Sequence, residues 1–391
     1  MGKIWRKKYS HMKTLLTLLR NPLLRPGIIA LWSAFLLLPF KGIRAALILF
    51  ITLSLAIPAF KVLSRYFSPL LRNIHSSVER ITRFLPSDSR FLFLFLVPAA
   101  AVPFVAHDYI IDVTVISGIY IILALGLNVV VGFTGLLNLG FVAYYAIGAY
   151  SFALLNTKLG IGFWGAMPLS ALITVTAGFL FAIPAVRLKG DYLALVTLGF
   201  GEIVHITLNN WDSFTKGPNG ISGITPPSLF HIELTSLSGF YYLVMFFVVL
   251  AVIVMRRVHE SKTGRAWLAI REDEIAAAAM GINNTMYKLY SVAFGAFWAG
   301  LAGSLFAAKM RFISPESFTF MESVLILCMV IIGGLGSIAG VILGAIILVF
   351  LPEVLREIQL YRMLALGAGL VLLMVFRPQG LFGGKSVSIG S

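Results

Sequence analysis

Three polar residues interrupt an otherwise apolar run near the middle of this chain. They are Glu202, His205 and Asn209, spaced three and four apart, so on a helix they share one face. An ionised acid inside a membrane helix costs about 2.5 to 3.5 kcal/mol on insertion scales, which makes Glu202 a functional hypothesis by default. Two readings follow: the stripe faces the bundle interior or a water-filled path, or Glu202 pairs with His205 as a structural tie. Glu-x-x-His also supplies metal ligands in carboxylate-bridged bundles, but such sites repeat the motif on a second helix and no second copy occurs here. A metal is therefore not expected. Asn128 and Asn138 bracket Gly132 and Gly135, while Gly333, Gly334 and Gly336 break a second apolar run. Paired glycine-interrupted segments point to a midplane substrate site in some transporters, although glycines also allow close helix packing. His107 and Asp108 adjoin in a turn, no Ser or Cys stands in a nucleophile motif, and no phosphate-binding Gly-x-x-x-x-Gly-Lys-Ser/Thr is present. Catalysis by this chain is not expected, and it should hold no cofactor.

The stretch 256–288 is richer in signals. In SKTGRAWLAIREDEIAAAAMG, residues 261–281, the acids Glu272, Asp273 and Glu274 precede an alanine run that ends at Gly281. Acids in a first turn and a glycine just past the last mark a short helix. Ala276 to Ala279, with Ala277 among them, would give it a smooth surface for another protein, and Arg265 and Arg271 flank it as ionic contacts.

These elements have to be held in a membrane. Of 391 residues, 59% are hydrophobic and 12% charged, with a mean hydropathy of +0.93; soluble domains carry roughly 25% charged residues. Apolar runs occupy 28–40, 45–60, 91–106, 109–131, 136–155, 163–186, 192–208, 240–255, 289–308, 323–351 and 363–376. They predict an all-α polytopic bundle of about 10 to 12 segments, since lipid leaves the backbone no other way to satisfy its hydrogen bonds. The 323–351 run is long enough to be two short helices meeting at its glycines. A net charge of +15 comes from basic residues that punctuate the apolar runs, which fits membrane orientation and not a nucleic-acid-binding face. With the N-terminus inside, segments 1–26, 61–90, 187–189, 256–288 and 377–391 hold 23 of the 31 Lys and Arg, so both termini are expected in the cytoplasm. Residues 1–26 then read as a retained basic tail, 27–90 as a variable hairpin and linker, 91–376 as the core and 377–391 as a C-terminal tail. The 209–239 connection falls outside, with Trp211 and the turn-rich Gly217, Pro218, Asn219 and Gly220. Cys328, the single cysteine, can form no intrachain disulfide.

The acid-alanine loop resembles the coupling loop of ABC importer permeases, with Glu274 to Gly281 one position longer than usual. Its detail, REDEIAA from Arg271, is similar to the branched-chain amino acid permease family. So are LNVVVGFTGLLNLG (127–140), KGDYLALVTLGFGEIV (189–204), GPNGISG (217–223), IGGLGS (332–337) and FRPQGLF (376–382). The resemblance covers roughly residues 90–384 and is closest to the longer, M-type subunit. It implies an ABC importer permease helical bundle in the bacterial inner membrane, paired with a shorter H-type permease. It further implies two cytoplasmic ATPase subunits holding ATP and Mg, an external solute-binding protein, and branched-chain amino acids as substrate. Permeases for urea or short amides share the same motifs.

Overall fold

The structure, a computed structural model, describes residues 102–354 except 105, 189, 230, 231, 234 and 235, together with residue 367. These belong to the second of two compact units, Pro98–Ser391. The expected segments 28–40, 45–60 and 363–376, most of 91–106, and both tails lie outside the described residues.

Helix α1, Asp108–Leu127, widens without a break into a π-turn over Asn128–Phe133. It is followed by α2 (Phe141–Thr157), α3 (Phe163–Ala185), α4 (Asp191–Asn210) and α5 (Leu237–Glu260). Two short helices, α6 (Lys262–Glu272) and α7 (Glu274–Ala279), lead into α8 (Asn284–Met310), then α9 (Phe320–Gly333) and α10 (Ile338–Val354). Among the described residues six helical stretches are long and apolar enough to cross a membrane, and α10 is a shorter apolar helix. This is the multi-pass helical membrane protein that the composition predicts.

Helix α8 is the hub: 78% of its most apolar window is buried, against 33% for α4, whose outer face is left to lipid or to another chain. Small residues bring the backbones together. A Cβ on Gly126 would lie 3.1 Å from the Gly295 carbonyl oxygen, and one on Gly178 2.7 Å from the Ala296 Cβ. Gly148 faces the Gly300 backbone so closely that any side chain there would collide with it. In lipid, where burying apolar surface between helices gains little, such close approach is what holds helices together. A buried hydrogen bond between Ser170 and Ser304, 2.6 Å, ties α3 to α8.

One boundary differs from those predicted. The 136–155 run does not start as helix: residues 134–140 are irregular, and α2 begins only at Phe141. Gly135 turns the chain at a φ of +75°. The irregular backbone is satisfied inside the protein, as membrane depth requires: Leu136 N donates to the Val130 carbonyl (3.0 Å), Leu139 N to Thr197 Oγ1 (3.1 Å) and Gly140 N to Asn138 Oδ1 (3.0 Å). The 323–351 run is indeed two helices, parted at residues 334–337, where Gly334 and Gly336 take φ of +110° and +85°.

The connections gather in two sets. At one end the 132–135 turn, the α6–α7 region and the 334–337 corner meet. At the other, β1 (Ile221–Ser222) pairs antiparallel with β4 (Phe312–Ile313), Asn156 bonds Thr225 (2.7 Å), and Lys158 lies over the Phe214 ring, 4.8 Å from its centroid. Between β1 and β4, strands β2 (Ser228–Leu229) and β3 (Ile232–Glu233) form a small hairpin.

Candidate functional site

The 261–283 connection is a built platform. Ser261 caps α6, its Oγ accepting from Gly264 N. Trp267, fully buried, donates from Nε1 to the Tyr287 carbonyl at 2.7 Å and so pins α6 to α8. Asp273 caps α7, its Oδ1 accepting from the N–H groups of Ile275 (2.8 Å) and Ala276 (3.0 Å); a cap of this kind is worth about 1 kcal/mol. Glu274 forms an ion pair at 2.8 Å with Lys288, whose side chain is 5% exposed. Asn284 Nδ2 donates to the Glu274 carbonyl. The helix then stops at Gly281, φ +84°, as the acid-alanine-glycine order predicts.

The outward face of α7 is not the one the alanine run alone suggests. Ala277 is buried against the chain itself, whereas Ala276, Ala278 and Ala279 are exposed between Ile275, 79% exposed, and Met280, 83% exposed. Two large apolar side chains thus stand free beside the exposed, charged Glu272 and Arg271. Arg265 and Arg271 turn back onto this chain: Arg265 Nη1 donates to the Glu260 carbonyl at 2.8 Å, and Arg271 Nη1 donates to the Gly132 carbonyl.

That last bond joins regions far apart in sequence. Gly132 sits in the π-turn of α1, where a side chain would strike Asn128 and the Gly336 N–H. Asn128, buried, accepts from Gly336 N through Oδ1 at 2.9 Å. Cβ atoms built on Gly135 and Gly336 would each lie 3.1 Å from the Arg271 side chain. The platform, the π-turn and the corner between α9 and α10 therefore share one arginine. Asn128 and Gly336, expected on a substrate path, stand at this junction. Gly333 lies nearby, pressed against the Gly340 backbone where α9 folds onto α10, and Asn138 holds the irregular segment before α2.

On α4, Glu202, His205 and Asn209 are all half-buried on one side of the helix. No bond joins Glu202 to His205, and the shielded His205 Nδ1 has no hydrogen-bond partner. The tie weighed for this pair is absent. Beyond α4, Trp211 stacks on Phe214 at 4.9 Å, Gly217 to Asn219, with Pro218 between, form a 3-10 turn, and Gly220, φ +67°, abuts the Ile313 carbonyl. These loop residues lie at the opposite end from Arg271.

A further acid escapes a reading by apolar runs. Glu322, in the first turn of α9, accepts a hydrogen bond of 2.7 Å from the Tyr120 hydroxyl of α1. It falls one residue before the run that begins at 323 and so reads as a solvated helix start. The signal that marks it otherwise is its neighbour, Ser323, whose Oγ accepts from Val142 N inside the bundle (2.9 Å). Asp112 and Lys309 form an interhelical ion pair between the start of α1 and the end of α8.

Residues 109–376 match the family described as branched-chain amino acid transport system, permease component. The chain belongs to this family. The match spans the platform, both glycine turns, the α4 stripe and Glu322. The chain is 48% identical over 74% of its length to the high-affinity branched-chain amino acid transport system permease protein LivM of Salmonella typhimurium, covering 74% of that protein. The figures are the same for LivM of Escherichia coli. It is 28% identical to LivH of Escherichia coli over 68% of this chain and 92% of that one. No solved structure matches the chain. As a member of this family it is a multi-pass membrane permease, similar to the M-type subunit.

Proposed function

We propose that this chain is the M-type permease subunit of an ATP-driven importer for leucine, isoleucine and valine in the bacterial inner membrane. A shorter H-type permease completes the translocation path, two cytoplasmic ATPases carrying ATP and Mg supply the energy, and an external solute-binding protein delivers the amino acid. Both termini then lie in the cytoplasm. The gap between 48% identity to LivM and 28% to LivH supports the subunit type. Substrate enters at the end formed by the 209–239 connection, and Glu202, His205 and Asn209 line part of its way on α4.

The observation that carries the coupling half of this reading is the Arg271 junction. Helix α7 is short, capped and ion-paired to α8, so it moves as one piece with the platform. Its exposed Ile275 and Met280 adjoin the exposed Ala276 and Ala279 on one helix face, and such a contiguous apolar patch rimmed by charges suits an apolar cleft on a soluble partner. When the ATPases close, displacement of α7 reaches α6 directly, and through Arg271 it reaches the carbonyl of Gly132 and the Gly336 corner. Glycine at 334 and 336 lets that corner change its backbone angles at little cost. Transport follows from two arrangements of these broken helices, not from chemistry in this subunit.

The test uses the reconstituted complex. Ile275→Asp with Met280→Asp removes the apolar contact and leaves the fold of the platform intact. Expected are loss of ATPase co-purification and of leucine uptake at normal membrane abundance. Wild-type uptake by the double variant refutes docking through α7, and uptake of urea in place of leucine by the wild type refutes the substrate.

A further inference from the structure

The two helices that begin inside the bundle, α2 and α9, start beside one another. The chain leaves α8 at Met310, pairs β4 with β1, passes through a 3-10 turn at Pro315–Phe318 and enters α9 at Phe320. Phe318 is buried against Tyr145 and Tyr150 of α2 and Phe306 of α8. Depth follows from helix rise. Tyr120 stands twelve residues below the outer start of α1, and Tyr145 twelve below the outer end of α2, which is about 18 Å in each case at 1.5 Å per residue. For a hydrocarbon core of roughly 30 Å this is close to the midplane. Glu322 is bonded to Tyr120 at that level.

A carboxylate there needs a reason. An acid in a first turn ordinarily complements the helix dipole from a solvated surface, and a neutral side chain would be far cheaper at this depth. Among the described residues no cation pairs with Glu322. Only one of its oxygens is used, Oε2, by Tyr120. Tyr145, 1% exposed, has a hydroxyl with no hydrogen-bond partner, within electrostatic reach of both Glu322 and Tyr120. Its ring meets Phe318 edge-on at 5.0 Å. A buried, unsatisfied hydroxyl costs about 1 to 3 kcal/mol.

We propose that Glu322, Tyr145 and Tyr120 form a midplane subsite for the primary ammonium group of the transported amino acid. The proposal rests on the reading of this chain as an amino acid permease. A primary ammonium is a compact cation with three donors. Glu322 Oε1 and the Tyr145 oxygen each accept one. The substrate's carboxylate has no place among these groups, so the subsite orients the zwitterion with its ammonium toward α9. Glu322 is half-buried and Met321 beside it is exposed, so the open side faces outward from this chain, where a second permease half would close the path.

Glu322→Gln is the discriminating change, because Gln still accepts from Tyr120 and preserves the interhelical tie while removing the charge. In proteoliposomes holding the whole complex, leucine uptake by Glu322→Gln should fall at least tenfold, Glu322→Asp should recover part of it, and ATP hydrolysis stimulated by the binding protein should stay within twofold of wild type. In detergent, millimolar leucine and 3-methylbutylamine should raise the melting temperature of the wild-type permease, 4-methylpentanoate should not, and Glu322→Gln should abolish both rises. Uptake by Glu322→Gln within twofold of wild type overturns the subsite, as does stabilisation by sodium or potassium in place of the amines. A wild-type complex that takes up no leucine overturns the amino acid reading itself, and the subsite with it.

Discussion

If Arg271 links the platform to the broken helices, replacing it should separate ATP hydrolysis from transport. Arg271→Ala removes one hydrogen bond from a charged donor to the Gly132 carbonyl. Such bonds are worth about 1.5 to 3 kcal/mol, and the partly exposed setting argues for the low end. A loss of about 1.5 kcal/mol changes the balance between two arrangements roughly tenfold. Because α7 keeps its Asp273 cap and its Lys288 ion pair, docking of the ATPases should survive. Measured in proteoliposomes, ATPase co-purification should match wild type while leucine transported per ATP falls about tenfold. Arg271→Lys should recover little, since an ammonium lacks the planar fork that lies between the Gly132 carbonyl and Gly336. A stoichiometry within twofold of wild type for Arg271→Ala would refute the reasoning, because the bond would then be a passive contact.

Three further outcomes are expected. Single cysteines at Ser261 and Asn219, in a Cys328→Ser background, should be labelled from opposite sides of the membrane, and labelling from one side would overturn the threading through α5. Glu202→Gln should cut leucine uptake strongly at normal abundance; since no bond joins Glu202 to His205, the double change with His205→Ala should show additive losses, and near-normal uptake by Glu202→Gln would remove it from the path. Gly148→Val, driven into the Gly300 backbone, should reduce membrane abundance and thermal stability sharply, whereas Gly162→Ala, with nothing within 4 Å, should leave both near wild type.

The spanning helices were legible in the sequence because lipid demands long apolar runs, and α3, α4, α5 and α8 fall within a few residues of where those runs lie. Short-range punctuation was legible too: the acid-marked start of α7, the stop at Gly281 and the break at residues 334–337 all rest on residue types with strong local preferences. What sequence alone did not yield were the non-local facts. The irregular backbone of residues 134–140 is apolar and reads as membrane helix; only its packing on Thr197 and the turn at Gly135 hold it open. The inward turn of Ala277 depends on α8 lying beneath it. Arg271 and Gly132 are 139 positions apart, and nothing in either neighbourhood announces the other. Glu322 went unnoticed because it stands at the edge of an apolar run, where an acid is ordinary, while the depth that makes it unusual is set by the chain's return into the bundle after Met310.

The π-turn at Asn128–Phe133 has a consequence for how this region tolerates change in length. Each residue of a regular helix advances about 100° around the axis, and a π-turn accommodates one residue more than a regular turn. A helical wheel drawn through α1 from Asp108 would therefore place Gly132 about 100° away from where it faces. Deleting Val130 would let the segment relax to ordinary α geometry, and because the lost residue and the lost π-turn cancel, the Gly132 carbonyl would still face the Arg271 guanidinium. Asn128, before the deletion, would keep its own orientation. A one-residue deletion is therefore absorbed within the turn, whereas the same deletion in the regular part of α1 would rotate everything that follows it by about 100°.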